Sequence, residues 1–247
     1  MLTIGWFSTG RGEGSLGLLR FVQERILRGE IDARLQFVFS NREPGEAEGS
    51  DTFFRQVNHY GIPMVNFSSR KFRKKMGGAF ADHRLDYDKE AMARLEQFSP
   101  DVCILAGYML ITGAEMCRHY TMLNLHPALP TGPTGTWQQV IWNLIESGAD
   151  RTGAMVHLAT EDLDAGPVIT YFTLPIVGGP FDDLWEGVEG KPLLELKETH
   201  GEELPLFRLI REGVAKREPY LLAATLKSLE KGTVRIRDSQ VMGSDDR

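Results

Sequence analysis

Leu2-Thr3-Ile4-Gly5-Trp6-Phe7, followed by Ser8-Thr9-Gly10-Arg11-Gly12-Glu13-Gly14-Ser15 and then Leu16-Gly17-Leu18-Leu19, is the stretch that decides the fold. Leu2 to Phe7 is a short β-prone run. Thr9 to Ser15 carries three glycines, enough to hold a tight turn. From Leu16 onward apolar residues fall at Leu18, Leu19, Val22, Ile26 and Leu27, close to the helical period of about 3.6. Leu35 to Phe39 gives a second strand that ends in the polar Ser40-Asn41-Arg42. A strand, a glycine turn, a helix and a strand predict an α/β fold with a parallel sheet and right-handed crossovers.

The alternation continues outward. Ile62 to Phe67 reads as a short strand, and Asp86 to Phe98 as an amphipathic helix stopped by Ser99-Pro100. Val102 to Leu105 is a near-continuous apolar run of the kind buried on both faces. Met122 to Leu125, Gly153 to Leu158 and Val168 to Phe172 read as strands, and Trp137 to Ile145 as a helix. Between Gly178 and Thr199 regularity fades; Glu203 to Glu212 and Tyr220 to Leu229 then read as terminal helices. The economical division is a domain over 1–177, an extension over 178–237 packed on it, and a polar, mobile tail over 238–247.

A chain of 247 residues can bury a substantial core. Its 42% hydrophobic and 25% charged residues are ordinary globular composition, not that of a disordered chain. A net charge of −6 argues against broad attachment to nucleic acid or acidic membrane, while leaving room for a local basic pocket. Cys103 and Cys117 are too few for a disulfide framework or a zinc site, and Cys103 reads as a buried thiol. We read neither a signal peptide nor a membrane span, which makes the cytoplasm the default location.

Three segments can carry chemistry. The turn Gly10–Ser15 opens a helix, so its backbone N–H groups and the helix dipole suit a phosphate. It matches neither the dinucleotide fingerprint nor a P-loop, and a plain tight turn is the alternative. Glu13 is expected to point away from any phosphate. In Leu123-Asn124-Leu125-His126-Pro127-Ala128-Leu129-Pro130, Asn124 and His126 lie two apart at a strand end, so their side chains share one side. Carboxyl ends of strands are where open α/β sheets bind ligands. In Glu161-Asp162-Leu163-Asp164-Ala165-Gly166-Pro167-Val168, Glu161 and Asp162 read as surface residues, while Asp164, beside Gly166-Pro167, is the carboxylate expected to face inward.

At these segments the sequence resembles the folate-dependent formyltransferases, in Asn124-x-His126-Pro127 and Leu163-Asp164-x-Gly166-Pro167. Within that family the resemblance is to the branch that formylates phosphoribosylglycinamide in purine synthesis. It runs from Ile4 to about Ile176 and takes in Phe39-Ser40-Asn41-Arg42, Arg84-x-x-Tyr87-Asp88, Pro100-Asp101-Val102, Leu105 to Met109, and Gly153 to His157.

The resemblance implies a Rossmann-like formyltransferase fold, an open, mostly parallel twisted sheet with helices on both faces and a C-terminal helical extension. It implies formyl transfer from 10-formyltetrahydrofolate, a co-substrate, to a primary amine, with no metal. Asn124 and a protonated His126 would stabilise the oxyanion, where losing one donor costs roughly 3–4 kcal/mol of barrier. Asp164 would orient and charge His126 and relay the proton of the amine. The acceptor's phosphate would lie on Gly12, Glu13, Gly14 and Ser15 with Arg84 and Met109 nearby. The folate would sit against Met109, Leu110 and Ile111 and the loop holding Asp162, Leu163 and Asp164. Plainer readings make Arg84 a surface ion pair and Met109 to Ile111 ordinary core.

The sequence departs from its relatives in three places. Leu16 stands where Asn is usual, Thr131–Trp137 replaces a basic, histidine-containing loop, and Phe181–Glu203 looks inserted. The family's C-terminal Glu-His pair is not evident, which leaves Glu202, Glu203 and His200 as candidates for its part. Alternatives at this point are a formyltransferase acting on another amine such as an amino sugar, a formyltetrahydrofolate hydrolase, and a catalytically silent folate- or nucleotide-binding protein. The expected partner is a small phosphorylated amine, not nucleic acid or membrane; the residues are silent on association, and a homodimer is kept as the expectation.

Overall fold

The computed structural model describes residues 1–237 and 239–243. Strands β1 (Leu2–Phe7), β2 (Ala33–Ser40), β3 (Met64–Asn66) and β4 (Val102–Leu105) are joined by helices α1 (Glu13–Leu27), α2 (Glu48–His59), α3 (Ser69–Met76) and α4 (Arg84–Leu95). Helix α5 (Ala114–His119) leads to β5 (Met122–His126), α6 (Trp137–Ser147) to β6 (Arg151–Leu158), and a loop to β7 (Val168–Pro175). Helices α7 (Asp182–Glu186), α8 (Leu193–Thr199), α9 (Pro205–Ala215) and α10 (Glu218–Glu230) follow, then a hairpin of β8 (Val234–Arg237) and β9 (Gln240–Gly243).

The main sheet has the order β3-β2-β1-β4-β5-β6-β7. Its first five members pair in parallel, and β6 and β7 return antiparallel. Chain direction reverses its lateral walk between β1 and β4, so the crevice outside their carboxyl ends is the place where such a sheet receives a ligand.

Period-two alternation sorts the core into layers. Ile4, Trp6, Val102 and Ile104 face α1, α2 and α10, where they meet Leu19, Val22, Phe53, Val57, Leu222 and Leu226. Phe7, Phe37, Phe39, Cys103 and Leu105 face α3, α4 and α5, where they meet Phe72, Tyr87, Ala91, Leu95 and Met116. Helices therefore cover both faces, and each fully buried aromatic contributes roughly 1.5–3 kcal/mol of burial. A third layer joins α6 to the 176–210 region through Ile141, Trp142, Ile176, Leu196, Leu206 and Phe207.

Several elements differ from expectation. The 178–199 stretch holds α7 and α8, short helices whose few apolar residues lean on α9 and α6 rather than marking a full period. The strand read over Ile62–Phe67 is confined to Met64–Asn66, where it pairs with β2. Of the residues read as a tail, Gln240–Gly243 pair with β8 as β9, while Asp238 and residues 244–247 lie outside the described residues. Among the described residues no helix is long and apolar enough to cross a membrane.

Strand β6 can lie flush between β5 and β7 because position 153 has no side chain. A Cβ on Gly153 would collide with the carbonyl oxygen of Phe172 on β7. Gly153→Ala is expected to lower unfolding free energy by about 3 kcal/mol, the scale of an overpacked interior. Urea melts would read it, and a loss within error of zero would contradict the close β6–β7 approach as a constraint.

Candidate active site

Strand β5 presents Asn124 and His126 on one side, as their two-residue spacing requires. The antiparallel register sets His157 of β6 directly beside Asn124. Asp164 reaches the same point from the loop between β6 and β7. Its backbone is left-handed, with φ of 55°, a conformation Asp tolerates better than most side chains. The loop turns back tightly, with Leu158 N–H donating to Pro167 O at 2.9 Å, and a Cβ on Gly166 would strike the Leu158 carbonyl.

Four groups converge on the Asp164 carboxylate. Asn124 Nδ2 donates to Oδ1 at 3.2 Å and Gly135 N–H donates to Oδ2 at 3.3 Å. His126 Nδ1 lies 3.6 Å from Oδ2 and His157 Nε2 3.7 Å from Oδ1. The side chains of His126, His157 and Asp164 are only 3%, 2% and 6% exposed. Burial by itself pushes the Asp164 carboxyl up; His157 beside it, the His126 charge and the Gly135 N–H outweigh that and hold it below the usual carboxylate range. The carboxylate form is thus the one this site is built around.

The histidines are differently wired. His157 Nδ1 is 3.0 Å from Leu158 O and donates there; its Nε2, 3.1 Å from Asn124 Nδ2 and 3.7 Å from Asp164 Oδ1, accepts from the amide in the neutral ring and faces the carboxylate with an N–H in the charged one. Both amide hydrogens of Asn124 are thereby engaged. His126 Nε2 is 3.0 Å from Pro133 O while its Nδ1 faces Asp164, so acceptors stand at both ends of the ring. A doubly protonated ring donates to both; a neutral one turns a lone pair on one of them.

The Thr131–Trp137 loop therefore closes over the site through Pro133 O and Gly135 N–H. A cavity of about 150 Å³, lined by Ala128 to Pro133, Leu144, Arg151 and Thr152, lies against it. A groove of about 420 Å³ lies elsewhere, between α3 and α4, and holds none of these residues, so convergent chemistry and not cavity size marks the site.

The other candidate residues fall around the same sheet edge. Thr9 joins the end of β1 to the loop after β4: its N–H donates to Gly107 O at 3.0 Å and its Oγ1 accepts from Met109 N at 3.0 Å. Gly12 precedes α1 as its cap and Glu13 begins it; Gly12, Glu13 and Gly14 are exposed, Ser15 half-buried, and nothing of the protein fills the space that a Cβ at 12 or 14 would take. Leu16 is buried in the core. Met109, Ile111 and Leu163 are 54%, 45% and 51% exposed, which removes Met109 and Ile111 from the core; Leu110 packs against the α3–α5 layer. Asp162 is exposed, and its backbone carbonyl accepts from Thr160 Oγ1 and Ala165 N–H.

Arg84 begins α4 half-buried, with an enclosed Nε that has no hydrogen-bond partner, and its charge acts on Asp88 one turn on. Among the described residues no hydrogen bond or ion pair joins Arg84 to the Gly12–Ser15 turn. Glu202 and Glu203 form an exposed turn before α9, with Glu203 paired to Arg208 at 3.1 Å. Sequence reading gave His157 no role. Its signal is an imidazole in a buried strand just before the acidic loop, which acquires meaning only when β6 is paired antiparallel to β5. Among the described residues no group of three or more His, Cys, Asp or Glu is arranged to hold a metal ion.

Asp88 ties α4 to the loop carrying Met109–Ile111, accepting from Gly113 N–H at 2.6 Å. Burial pushes its carboxyl up to about 6, against the lowering effect of that N–H and of Arg84. The folded chain then holds more protons than the unfolded one between about pH 4 and 6, so stability falls as pH rises through that window and the loss is complete above it. Asp88→Asn keeps an acceptor for Gly113 and is expected to gain up to about 3 kcal/mol at neutral pH, with a flatter pH dependence. Urea melts at pH 4.5 and 7.5 measure both; an Asn variant with the parent's slope would refute the assignment.

With this geometry in place, comparison identifies the lineage. The formyl transferase family model matches residues 18–182. The chain is 31% identical over 135 residues to phosphoribosylglycinamide formyltransferase of Escherichia coli, a match covering 53% of the chain and 61% of that protein, about three fifths of its length. It is 30% identical over 186 residues to the enzyme of the same name from Dictyostelium discoideum, covering 71% and 84%. Glycinamide ribonucleotide transformylase 1 from Symbiobacterium toebii shares the fold, with a TM-score of 0.69 at 21% identity over 98% of this chain and 93% of that one. A chain with this sheet order, and with Asn124, His126 and Asp164 gathered on one point, belongs to the formyl transferase family.

Proposed function

We propose that the chain transfers a formyl group from 10-formyltetrahydrofolate to the primary amine of phosphoribosylglycinamide, in purine synthesis and in the cytoplasm. The observation that carries this reading is the convergence of Asn124, His126 and Asp164 on one point, two hydrogen-bond donors governed by one carboxylate. It is supported by the two relatives named for this reaction. A protein that merely binds folate has no use for an imidazole held between two acceptors.

The amine attacks the formyl carbon, a C–N bond forms, and negative charge grows on the formyl oxygen. His126 Nε2–H and the Asn124 amide are the donors for that charge. Neither is idle at rest, since Pro133 O holds the first and His157 and Asp164 hold the second. The oxyanion competes because a charged acceptor makes a hydrogen bond roughly twice as strong as a neutral carbonyl does. The Thr131–Trp137 loop is displaced in the exchange, and Asn124 releases His157. Asp164, kept ionised, takes the proton of the attacking amine directly or through water and returns it to N10 as the C–N10 bond breaks. No metal is required by this sequence of steps.

Exposed Met109, Ile111 and Leu163, with Leu110 beneath, suit the face of a pterin ring, and Asp162 lies on the same loop as Leu163. The backbone amides of Glu13, Gly14 and Ser15 open α1 and suit the acceptor's phosphate. Arg84 is a second anionic contact in this scheme only if its side chain swings from Asp88.

A folate assay following loss of the formyl donor, with and without phosphoribosylglycinamide, is the test. Turnover confined to the mixture containing that amine is expected. Turnover with no amine means hydrolysis, and none with any amine removes the enzyme reading. His126→Ala should cut the rate about 100-fold or more; an undiminished rate would discard the mechanism.

A further inference from the structure

The β2 end of the sheet holds a group of charges that no step described above employs. Arg42, at the end of β2, is nine-tenths buried. Its Nη1 donates to Asn41 O and to Ser69 Oγ, both at 3.0 Å, its Nε is enclosed with no partner, and its Nη2 makes no hydrogen bond among the described residues. Asn41 beside it, 1% exposed, has an enclosed Oδ1 with no partner, although its Nδ2 donates to Ser69 Oγ. A guanidinium this buried is ordinarily satisfied, and Arg42 Nε is the donor left without an acceptor.

Two further arginines lie on the segments that flank this one. Arg70 opens α3 next to Ser69 and is exposed, its Nη1 reaching only Glu46 O at 3.5 Å. Arg11 lies in the turn before α1, exposed, with its carbonyl packed under Gly49 of α2. Burial lowers the Arg42 pKa, and the charges of Arg70 and Arg11 lower it further against the opposing Glu46. Glu46 is turned to other work, accepting from Glu43 N and Ser68 Oγ, and Glu43 is paired with Lys71. None of the three arginines makes an ion pair among the described residues, in a chain whose net charge is −6. Mutual repulsion of this kind is relieved by an anion.

We propose that Arg11, Arg42 and Arg70 form an anion-binding site for a phosphomonoester dianion. The site continues the Gly12–Ser15 turn through Arg11 and lies where the amino ends of α1, α2 and α3 gather outside β1 and β2. Guanidinium forks match phosphate oxygens, and three of them match a dianion better than the planar carboxylate of a folate tail. Taken with the proposed reaction, on which this part rests, the phosphate is the acceptor's own. The acceptor is then selected by side-chain charge on this edge in addition to backbone amides.

The test is titration of inorganic phosphate into the full chain at low salt, with glutarate as the carboxylate competitor. Wild type is expected to bind phosphate, and Arg11→Gln/Arg70→Gln to bind it about tenfold or more weakly, as loss of charge-assisted hydrogen bonds predicts. Both replaced residues are exposed, so the variant should melt with the parent. The control Lys227→Gln/Lys231→Gln removes the same charge on α10 and beyond and should bind as wild type does. The proposal is overturned if wild type binds no phosphate, if the arginine variant binds as well as the parent, if both variants weaken equally, or if glutarate competes as well as phosphate. No formyl donor or amine is present, so failure here is separate from failure of the formyl-transfer assay. In that assay the arginine variant should raise the KM for the phosphorylated amine and leave that for the folate.

Discussion

The carboxylate of Asp164 is the point on which the site is strung. A charge with 6% side-chain exposure is costly to bury unless hydrogen bonds and opposite charge surround it, and here four groups from three chain segments meet that need. Asn124 and His126 come from β5, His157 from β6 and Gly135 from the loop between β5 and α6. Remove the carboxylate and each of these groups loses its reason for pointing inward. The lowered carboxyl pKa is the electrostatic record of the same arrangement.

That arrangement also explains the closed loop. An unliganded donor at His126 Nε2 would sit buried and unsatisfied, so a carbonyl from the chain's own loop fills the place. Closure protects the resting site, and a charged acceptor is what can undo it.

The sheet supplies positions, not chemistry. Parallel β1 to β5 bring the glycine turn, the 106–113 loop and the end of β5 to one edge, while the antiparallel return of β6 and β7 brings His157 and the Asp164 loop to meet them. The arginine group at the β2 end belongs to the same edge, a consequence of three helix amino ends facing one way.

The residues that do local work were legible along the chain. The strand, turn and helix of the first forty residues, the shared side of Asn124 and His126, and the inward Asp164 all follow from periods of two and about 3.6 and from a Gly-Pro turn. Helices α2, α3 and α5 were not seen, because short amphipathic segments rich in charge carry too few apolar residues to reveal a period. The antiparallel return of β6 and β7, the partnership of His157, the closure of Pro133 over His126 and the gathering of Arg11, Arg42 and Arg70 at the β2 end were decided by tertiary structure alone. Each joins residues at least 7 positions apart, and up to 59, through pairing register or burial, which local pattern does not encode.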